Sequence, residues 1–471
     1  MRAPLLQHAF IIKHYISTIY ISHAFVSKQT GTYSYRNIWR VAYPILISLV
    51  MEQMIGLTDT AFLGRVGEVE LGASAIAIVY YMVLFMIGFG FSLGAQIIIG
   101  RRNGEGNYSD TGKIFWNGLY FLLGLAAIII LLSEIFSPWL MGLMVSSNTI
   151  YGAALSYVRW RLPGMVFAFI TTIFRAFYVG TTQTKTLTLN SVVMVLSNVV
   201  FNYILIFGKL GLPALGITGA AIGSSLAELV SLIFFVVYTK HRCDLKKYAL
   251  DKPAKPDFKE IKAMMPVCSW TMIQNTISIS TWFIFFLYIE HLGERALAIS
   301  NITRSVSGLM WVVLSAFSAT CSTLVSNMIG EGHTDKVISL IKRILKLSYG
   351  ILCAIMALVC LFPEMIARIY TDIPDLIKAS VPSIIVMTSA YLVNVGGQVY
   401  FQAVSGTGST KTAFKLEMIA LAAYMIYCTA IIGILKLDVA ICWTAEHVYG
   451  LVLLICGWIY MRSGRWKNRR I

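Results

Sequence analysis

The chain repeats its own sequence at a fixed spacing of 226 residues, and this duplication constrains its fold more than any other feature. Three stretches recur at that spacing, and together they extend over more than a hundred residues of each copy. They are 67–74 and 293–300, 91–106 and 317–332, and 180–186 and 406–412. A spacing shared over such a length predicts two homologous halves. In an apolar chain, duplicated halves are typical of membrane transporters.

The composition is that of a protein that crosses the membrane many times. Of 471 residues, 57% are hydrophobic and only 13% are charged, whereas soluble domains carry roughly 25% charged residues. The eight cysteines show no paired spacing, which predicts buried thiols rather than disulfides or a metal site. The sequence contains no Walker A, HExxH or paired Cys/His motif, so we expect neither an enzyme nor a bound cofactor.

Apolar runs of about twenty residues, each long enough to cross a bilayer, predict twelve transmembrane helices and an all-α integral membrane protein. The predicted helices are 38–62, 71–100, 113–135, 150–180, 186–207, 216–240, 261–289, 296–328, 344–363, 376–405, 412–435 and 439–461. Six helices in each half is an even number. The two six-helix lobes therefore run parallel, related by a pseudo-twofold axis along the membrane normal.

Polar segments divide the chain into five parts. The segment 241–260 is charged and contains two prolines, which predicts a cytoplasmic linker between the lobes. The other parts are an N-terminal extension at 1–34, an N-lobe at 35–240, a C-lobe at 261–462 and a basic cytoplasmic tail at 463–471. The extension resembles neither a signal peptide nor a span, which leaves an interfacial helix and an over-extended translation start as alternatives.

The formal net charge of +16 is distributed unevenly across the predicted membrane. Most of the 38 Lys and Arg residues fall in the N-terminal segment, in the loops of one side and in the tail. Basic residues concentrate on the cytoplasmic side, so we expect a multi-pass protein of the cell inner membrane with both termini in the cytoplasm. Contact with membrane lipids is expected, and nucleic-acid binding is not, because no basic patch lies in a soluble domain.

Two acidic residues lie in the first predicted helix, where a charge is costly and marks a functional candidate. Glu52 and Asp59 are seven residues apart, so they share one face and lie about 10 Å apart along the helix axis. A carboxyl group held away from water takes up a proton more readily, and with oxygen partners it can hold sodium instead. Both acids are therefore candidates for ion coupling. The alternative for Asp59 is that it caps the helix end or faces water.

Further polar residues lie on the fifth and sixth helices. Asn198 and Asn202 are one turn apart and should face inward, where they can coordinate a cation, fix a carboxylate or simply join helices. Ser224 and Glu228 are also one turn apart, and Glu228 is a further coupling candidate. Pro44 removes a backbone donor from the first helix and permits a bend.

The second half is less acidic. Its polar insertions are Gln274, Asn275, Asn301, Arg304, Asn394, Gln398, Glu446 and His447. His447 can titrate near neutrality or be held by hydrogen bonds in the core. Arg304 can pair with an acid or with an anionic lipid.

In their order and duplication, these motifs resemble the multidrug and toxic compound extrusion (MATE) family over about residues 36–462. The first helix, with Pro44 followed by 58–67 (TDTAFLGRVG), is similar to the family's first-helix stretch. The segment 198–203 (NVVFNY) is similar to its fifth-helix pattern. The Gly-Glu-Gly turns and the two copies of the 180–186 stretch resemble its conserved loops.

The resemblance implies antiport, in which a proton or sodium ion enters while an amphipathic, often cationic, compound leaves. Asp59 would be the coupling carboxylate, with Asn198, Asn202 and Ser224 around it, and Pro44 would be the bend that responds to its protonation. In the NorM-like branch an acid pair is also expected in the C-lobe. The corresponding positions here are Gln274 and Asn394, which do not ionise, so the resemblance favours the N-lobe.

Two other functions stay open at this point. A lipid or lipid-linked oligosaccharide flippase would share the two-lobe architecture but requires a strongly cationic central cavity, to which only Arg304 and Arg175 are placed to contribute. A membrane sensor or assembly subunit would be expected to carry an appended soluble domain. We therefore expect an exporter of small organic molecules that works as a monomer.

Overall fold

A computed structural model describes residues 33–145 and 147–467, so most of the predicted extension and the end of the predicted tail lie outside the described residues. The first half of this described chain forms seven helices. They are α1 Tyr35–Leu63, α2 Glu68–Glu105, α3 Tyr108–Met144, α4 Asn148–Arg161, α5 Gly164–Gly180, α6 Lys185–Phe207 and α7 Gly216–Arg242.

The second half begins after an irregular connection and contains eight α-helices within the described residues. They are α8 Phe258–Glu290, α9 Glu294–Gly330, α10 Val337–Leu361, α11 Pro363–Ala367, α12 Pro374–Gly406, α13 Thr410–Cys428, α14 Val439–Cys442 and α15 Ala445–Ser463. A 3₁₀ turn, Thr334–Lys336, precedes α10, and a π-helical segment, Thr429–Ile434, continues α13.

The prediction of twelve membrane spans in an all-α protein is confirmed. Eleven helices of the described chain are long and apolar enough to cross a membrane, and the bent pair α4 and α5 makes the twelfth span. The prediction of one continuous helix over 150–180 was wrong, because α4 and α5 meet at an angle of 50°. The break contains Pro163, which has no backbone N–H to continue the helical hydrogen bonds.

The two lobes are joined at the end of the bundle that holds the start of α1 and the end of α15. Gln96 Nε2 donates to Thr323 Oγ1 at 2.9 Å, and Ser326 Oγ donates to the carbonyl of Ile97 at 2.6 Å. At the same end, Arg101 donates to the carbonyl of Thr407 at 3.0 Å. Within the described part of the chain, the side-chain hydrogen bonds that connect the lobes all lie near this end.

A glycine makes the close approach of α2 and α9 at this end possible. A methyl group on Gly104 would lie only 2.1 Å from the carbonyl oxygen of Asn327. No side chain larger than hydrogen fits there unless the two helices move apart, a pattern common where membrane helices pack closely. Asn103 Nδ2 then donates to Asn327 Oδ1 across the contact at 2.6 Å. We call the end of the bundle that holds this contact the closed end.

Candidate ion-coupling site

Asp59 is a buried carboxylate near the end of α1 that lies away from the closed end. Its side chain is 8% exposed, and Leu63 ends the helix one turn later. Asn202 Nδ2 of α6 donates to Asp59 Oδ1 at 2.5 Å, and Ser224 Oγ of α7 donates to Oδ2 at 3.4 Å. Three helices thus supply the acid and its donors.

A second set of hydrogen bonds holds these donors in place. Asn198 Nδ2 donates to Ser224 Oγ at 3.1 Å, and Asn202 Nδ2 also approaches Asn198 Oδ1 at 3.3 Å. Asn202 Oδ1 lies against Gly223, where a methyl group would be 2.2 Å from it. The glycine lets α7 approach α6 closely enough for Ser224 to reach the acid.

The Asp59 site binds its carboxylate with neutral donors alone. Among the described residues, no Lys, Arg or His side chain forms an ion pair with Asp59. Burying a carboxylate without a paired cation is costly. The site therefore favours the uptake of a positive charge, which can be a proton or a small cation.

The sequence-predicted residues divide into two groups in the structure. Asp59, Asn198, Asn202 and Ser224 lie in one hydrogen-bonded cluster. Glu52 and Glu228 do not join that cluster, and each of them pairs with an arginine instead.

Glu228 forms a buried ion pair with Arg161. Arg161 donates to both carboxylate oxygens, with nitrogen–oxygen distances of 2.9 and 2.5 Å. The guanidinium lies 4.1 Å from the ring centroid of Tyr81, whose hydroxyl donates to Glu228 at 3.5 Å. The side chains of the pair are only 10% and 8% exposed. Arg161 ends α4, just before the break in the fourth span, which is why it points into the lobe.

Glu52 lies in a more open environment. Arg175 of α5 donates to its Oε1 at 2.5 Å, and Ser48 donates to the same oxygen at 3.3 Å. The Glu52 side chain is 41% exposed. Its negative charge is therefore both paired and partly solvated, in contrast to that of Asp59.

Pro44 is buried within α1 and changes its hydrogen bonding. Because proline has no N–H, the carbonyl of Arg40 loses the donor that the helix would supply. Thr184 Oγ1 donates to that carbonyl at 3.4 Å, and Thr188 Oγ1 donates to the carbonyl of Pro44 at 3.1 Å. Helix α6 thus supports the point at which α1 can bend.

The C-lobe positions that the resemblance singles out are neutral and buried. Gln274 is 7% exposed and Asn394 is 5% exposed, and the side-chain oxygen of each has no hydrogen-bond partner. His447 Nε2 lies 3.0 Å from Ser389 Oγ, which favours the packing alternative for this histidine. Arg304 is exposed, with its guanidinium 5.6 Å from the ring centroid of Phe286.

Sequence reasoning missed one buried acid, Glu417. The predicted eleventh span began at residue 412, which put Glu417 near its entrance. Helix α13 begins at Thr410, and Glu417 is 3% exposed about two turns inside it. The sequence did contain a signal for this buried acid, because Glu417 lies about two turns inside an apolar helix.

Twelve spans in two lobes, with a buried acid held by neutral donors, define a transporter-like membrane protein. Comparison with known proteins identifies its family. The MatE family model matches twice, at residues 44–204 and 271–431. The chain belongs to the MatE family, a transporter family rather than an enzyme class, and the two matches are in accord with the duplicated sequence.

Two relatives show how far the similarity extends. The "Probable multidrug resistance protein NorM" of Thermotoga maritima is 24% identical over 442 residues, covering 92% of this chain and 93% of its own. The "Multidrug resistance protein MdtK" of Pectobacterium atrosepticum is 22% identical over 391 residues, covering 82% and 84%.

Solved structures show the same fold. A multidrug resistance MATE family transporter of the MOP superfamily, in an outward-facing conformation, has a TM-score of 0.84 at 17% identity, covering 91% of this chain and 95% of its own. A MOP superfamily transporter from Pyrococcus furiosus has a TM-score of 0.83 at 18% identity, covering 93% and 97%.

Proposed function

We propose that this chain is a secondary multidrug exporter that couples the entry of a proton or sodium ion to the exit of an amphipathic, often cationic, organic compound. One observation carries the proposal: Asp59 is buried, and only neutral donors hold it. A buried acid of this kind can bind an ion, and binding changes the hydrogen bonds that the acid receives from the neighbouring helices. Membership of the MatE family and the names of the relatives support the same function.

The structure suggests how the ion controls the lobes. With both termini in the cytoplasm, as the basic loops predict, the closed end faces the cytoplasm and the Asp59 end faces outward. An ion from outside then reaches Asp59 while the cytoplasmic path is shut. Loss of charge on Asp59 weakens its bonds to Asn202 and Ser224, and α1 can bend at Pro44. The ion drives transport only because it binds the two conformations with different affinity.

The arginines of the spans favour the exporter over the flippase. Arg161 and Arg175 are paired with Glu228 and Glu52. These pairs neutralise two of the cations that a phosphate-rich substrate would need in the central cavity. We further propose that the exporter works as a monomer among membrane lipids, without a cofactor and without nucleic acid.

The test is efflux of a fluorescent lipophilic cation from proteoliposomes, with a pH gradient and a sodium gradient imposed separately. Efflux that one gradient drives in the wild type should be lost in Asp59→Asn, because the amide cannot take up a positive charge. Asp372→Asn, which alters an exposed acid, is the matched control and should transport normally. Undiminished gradient-driven efflux by Asp59→Asn would refute the assignment of the coupling site.

A further inference from the structure

Each lobe has an acid within the same pair of positions related by the repeat, but the acid lies on a different helix in each lobe. At the spacing of the repeat, Glu52 corresponds to Ser278, and Ser191 corresponds to Glu417. In the N-lobe the acid is Glu52, on the first helix, α1. In the C-lobe the acid is Glu417, on α13, the fifth span of that lobe.

Matching hydrogen bonds support this alignment of the lobes. Thr184 Oγ1 donates to the carbonyl of Arg40 at 3.4 Å, and Thr410 Oγ1 donates to the carbonyl of Pro266 at 3.5 Å. Both partners in the second bond lie 226 residues after those in the first. The spacing read from sequence is therefore also the spacing of equivalent positions in space.

In the N-lobe, the acid has a cation beside it. Ser48 Oγ lies 2.7 Å from Ser191 Oγ and 3.3 Å from Glu52 Oε1, so it joins the two positions. Arg175 completes the group with its bond to Glu52. The charge of this acid is thus compensated.

In the C-lobe, the cation is absent from the equivalent position. The residue that corresponds to Arg175 is Phe401, which is buried. Ser278 Oγ and Tyr449 Oη both donate to Glu417 Oε1, at 2.5 and 3.3 Å. Glu417 Oε2 is buried and has no hydrogen-bond partner.

A second unpartnered oxygen lies on α8, one helical turn from Ser278. Gln274 corresponds to Ser48, the residue that contacts both other positions in the N-lobe. It lies one turn before Ser278 on α8, and its Oε1 is buried without a donor. Two orphaned oxygens, one on an acid and one on an amide, are short of a hydrogen-bond donor, which is costly in a buried position.

We infer that Glu417 is a second proton-binding site of this transporter, which takes up a proton on Oε2. The proton cancels a buried charge that no cation compensates, and it supplies the donor that the site lacks. Sodium fits less well, because the Tyr449 hydroxyl directs its hydrogen at the carboxylate and the one hydrogen of Ser278 Oγ is shared between Glu417 Oε1 and the carbonyl of Gln274.

Other titratable groups surround Glu417, and none of them gives it a cationic partner within the described residues. Tyr449 of α15 is joined through its ring to Tyr424 of α13, with 6.1 Å between ring centroids, and the Tyr424 hydroxyl donates to Glu446 at 3.4 Å. From α12, Gln398 donates to the Tyr449 hydroxyl at 3.4 Å. The remaining charged groups of α13 are exposed near its start, at Lys411 and Lys415.

The experiment measures protonation directly in the purified full-length protein. Infrared difference spectra are recorded between acidic and alkaline buffer, with sodium replaced by a large organic cation. The band of a protonated carboxyl group should lose the contribution of about one group per molecule in Glu417→Gln. Asp59→Asn should remove a separate contribution, and Glu364→Gln, at an exposed acid, should remove neither.

A second variant separates the loss of the acid from a general loss of folded structure. Ser278→Ala keeps the acid but removes a donor to it, so the band should keep its amplitude while its titration midpoint moves. The inference is overturned if Glu417→Gln, eluting as a monodisperse protein, leaves the carboxyl band unchanged. The spectra are then repeated at one fixed pH with and without sodium, and the inference is equally overturned if sodium, and not pH, controls that band.

This inference rests on the proposed function only for the claim that the proton is carried during transport. Proton binding is measured at equilibrium without any gradient or substrate, so it stands or falls separately. If Glu417→Gln loses the infrared band while Asp59→Asn still transports normally, the proposed function fails and the second site remains.

Discussion

The buried pair of Arg161 and Glu228 gives the sharpest quantitative prediction for this protein. Replacing either residue alone should destabilise the N-lobe strongly, whereas replacing both with methionine should not. The reason is that a single replacement leaves one charge buried without a partner.

The expected magnitude follows from the geometry of the pair. Two nitrogen–oxygen contacts, at 2.9 and 2.5 Å, connect side chains that are 10% and 8% exposed. Removing one partner of such a buried pair costs about 3–5 kcal/mol, which is roughly a 10²–10⁴-fold change in the folded to unfolded ratio. In Glu228→Met, Arg161 keeps the cation–π contact with Tyr81 that it makes in the wild type, a contact worth about 2 kcal/mol when desolvated. In Arg161→Met that contact is lost, but Glu228 can be neutralised by a proton, whereas the charge of Arg161 in Glu228→Met cannot be removed, so both single variants should be strongly destabilised.

The assay is the fraction of monodisperse protein that survives heating in detergent, compared across the wild type, both single variants and the double variant. The temperature at which half of the monodisperse protein is lost should be clearly lower in both single variants than in the wild type. In the double variant this temperature should return towards the wild-type value. Glu52→Met, at the half-exposed pair, is the matched control and should cost much less, because exposed pairs contribute about 0–1 kcal/mol. Single variants as stable as the wild type, or a double variant worse than either, would refute the reasoning.

Two further predictions concern the closed end and the linker. Gly104→Ala places a methyl group 2.1 Å from the carbonyl of Asn327, so pulsed electron resonance between labels on the two lobes should report a longer distance at that end. An unchanged distance would contradict the assignment of this contact. Burial, with the nearby charge of Asp244, raises the pKa of Cys243 from 9.0 to about 11. At neutral pH its thiolate should be about 100-fold scarcer than in the unfolded chain, and alkylation followed by peptide mass spectrometry should rise steeply as the pH approaches that value. Equal rates in folded and unfolded protein would show that the linker does not bury the thiol.

Sequence alone predicted the spans and the lobes because hydrophobic length and duplication are properties of the chain itself. The cluster around Asp59 required more. Helical spacing showed that Asn198 and Asn202 share a face, but only the family resemblance placed Ser224 and Asp59 beside them. The structure puts all four in one hydrogen-bonded network.

The partners of the other acids could not be predicted for physical reasons. Arg161 lay within the predicted helix 150–180, and nothing in the periodicity of that span showed that the helix would break at Pro163 and turn this side chain inward. Glu228 consequently had no visible partner and resembled a second coupling acid. Which face of a helix meets which neighbour is decided by packing between distant segments, and one sequence does not contain that information.

Glu417 and Asp59 lie at different depths in the bundle, and this difference bears on how two proton sites can work together. Glu417 corresponds to Ser191 on α6, whereas Asp59 is bound by Asn202 of the same helix. The eleven residues between them rise ~16 Å along a helix, so Glu417 lies about that much nearer to the closed end. With the closed end cytoplasmic, as we propose, we expect a proton on Asp59 to exchange with the outside in this conformation more readily than one on Glu417. We therefore expect external pH to change the occupancy of Asp59 first. Glu417 should exchange its proton only after the lobes have separated at Gly104, which would make the closed end the step that couples the two sites.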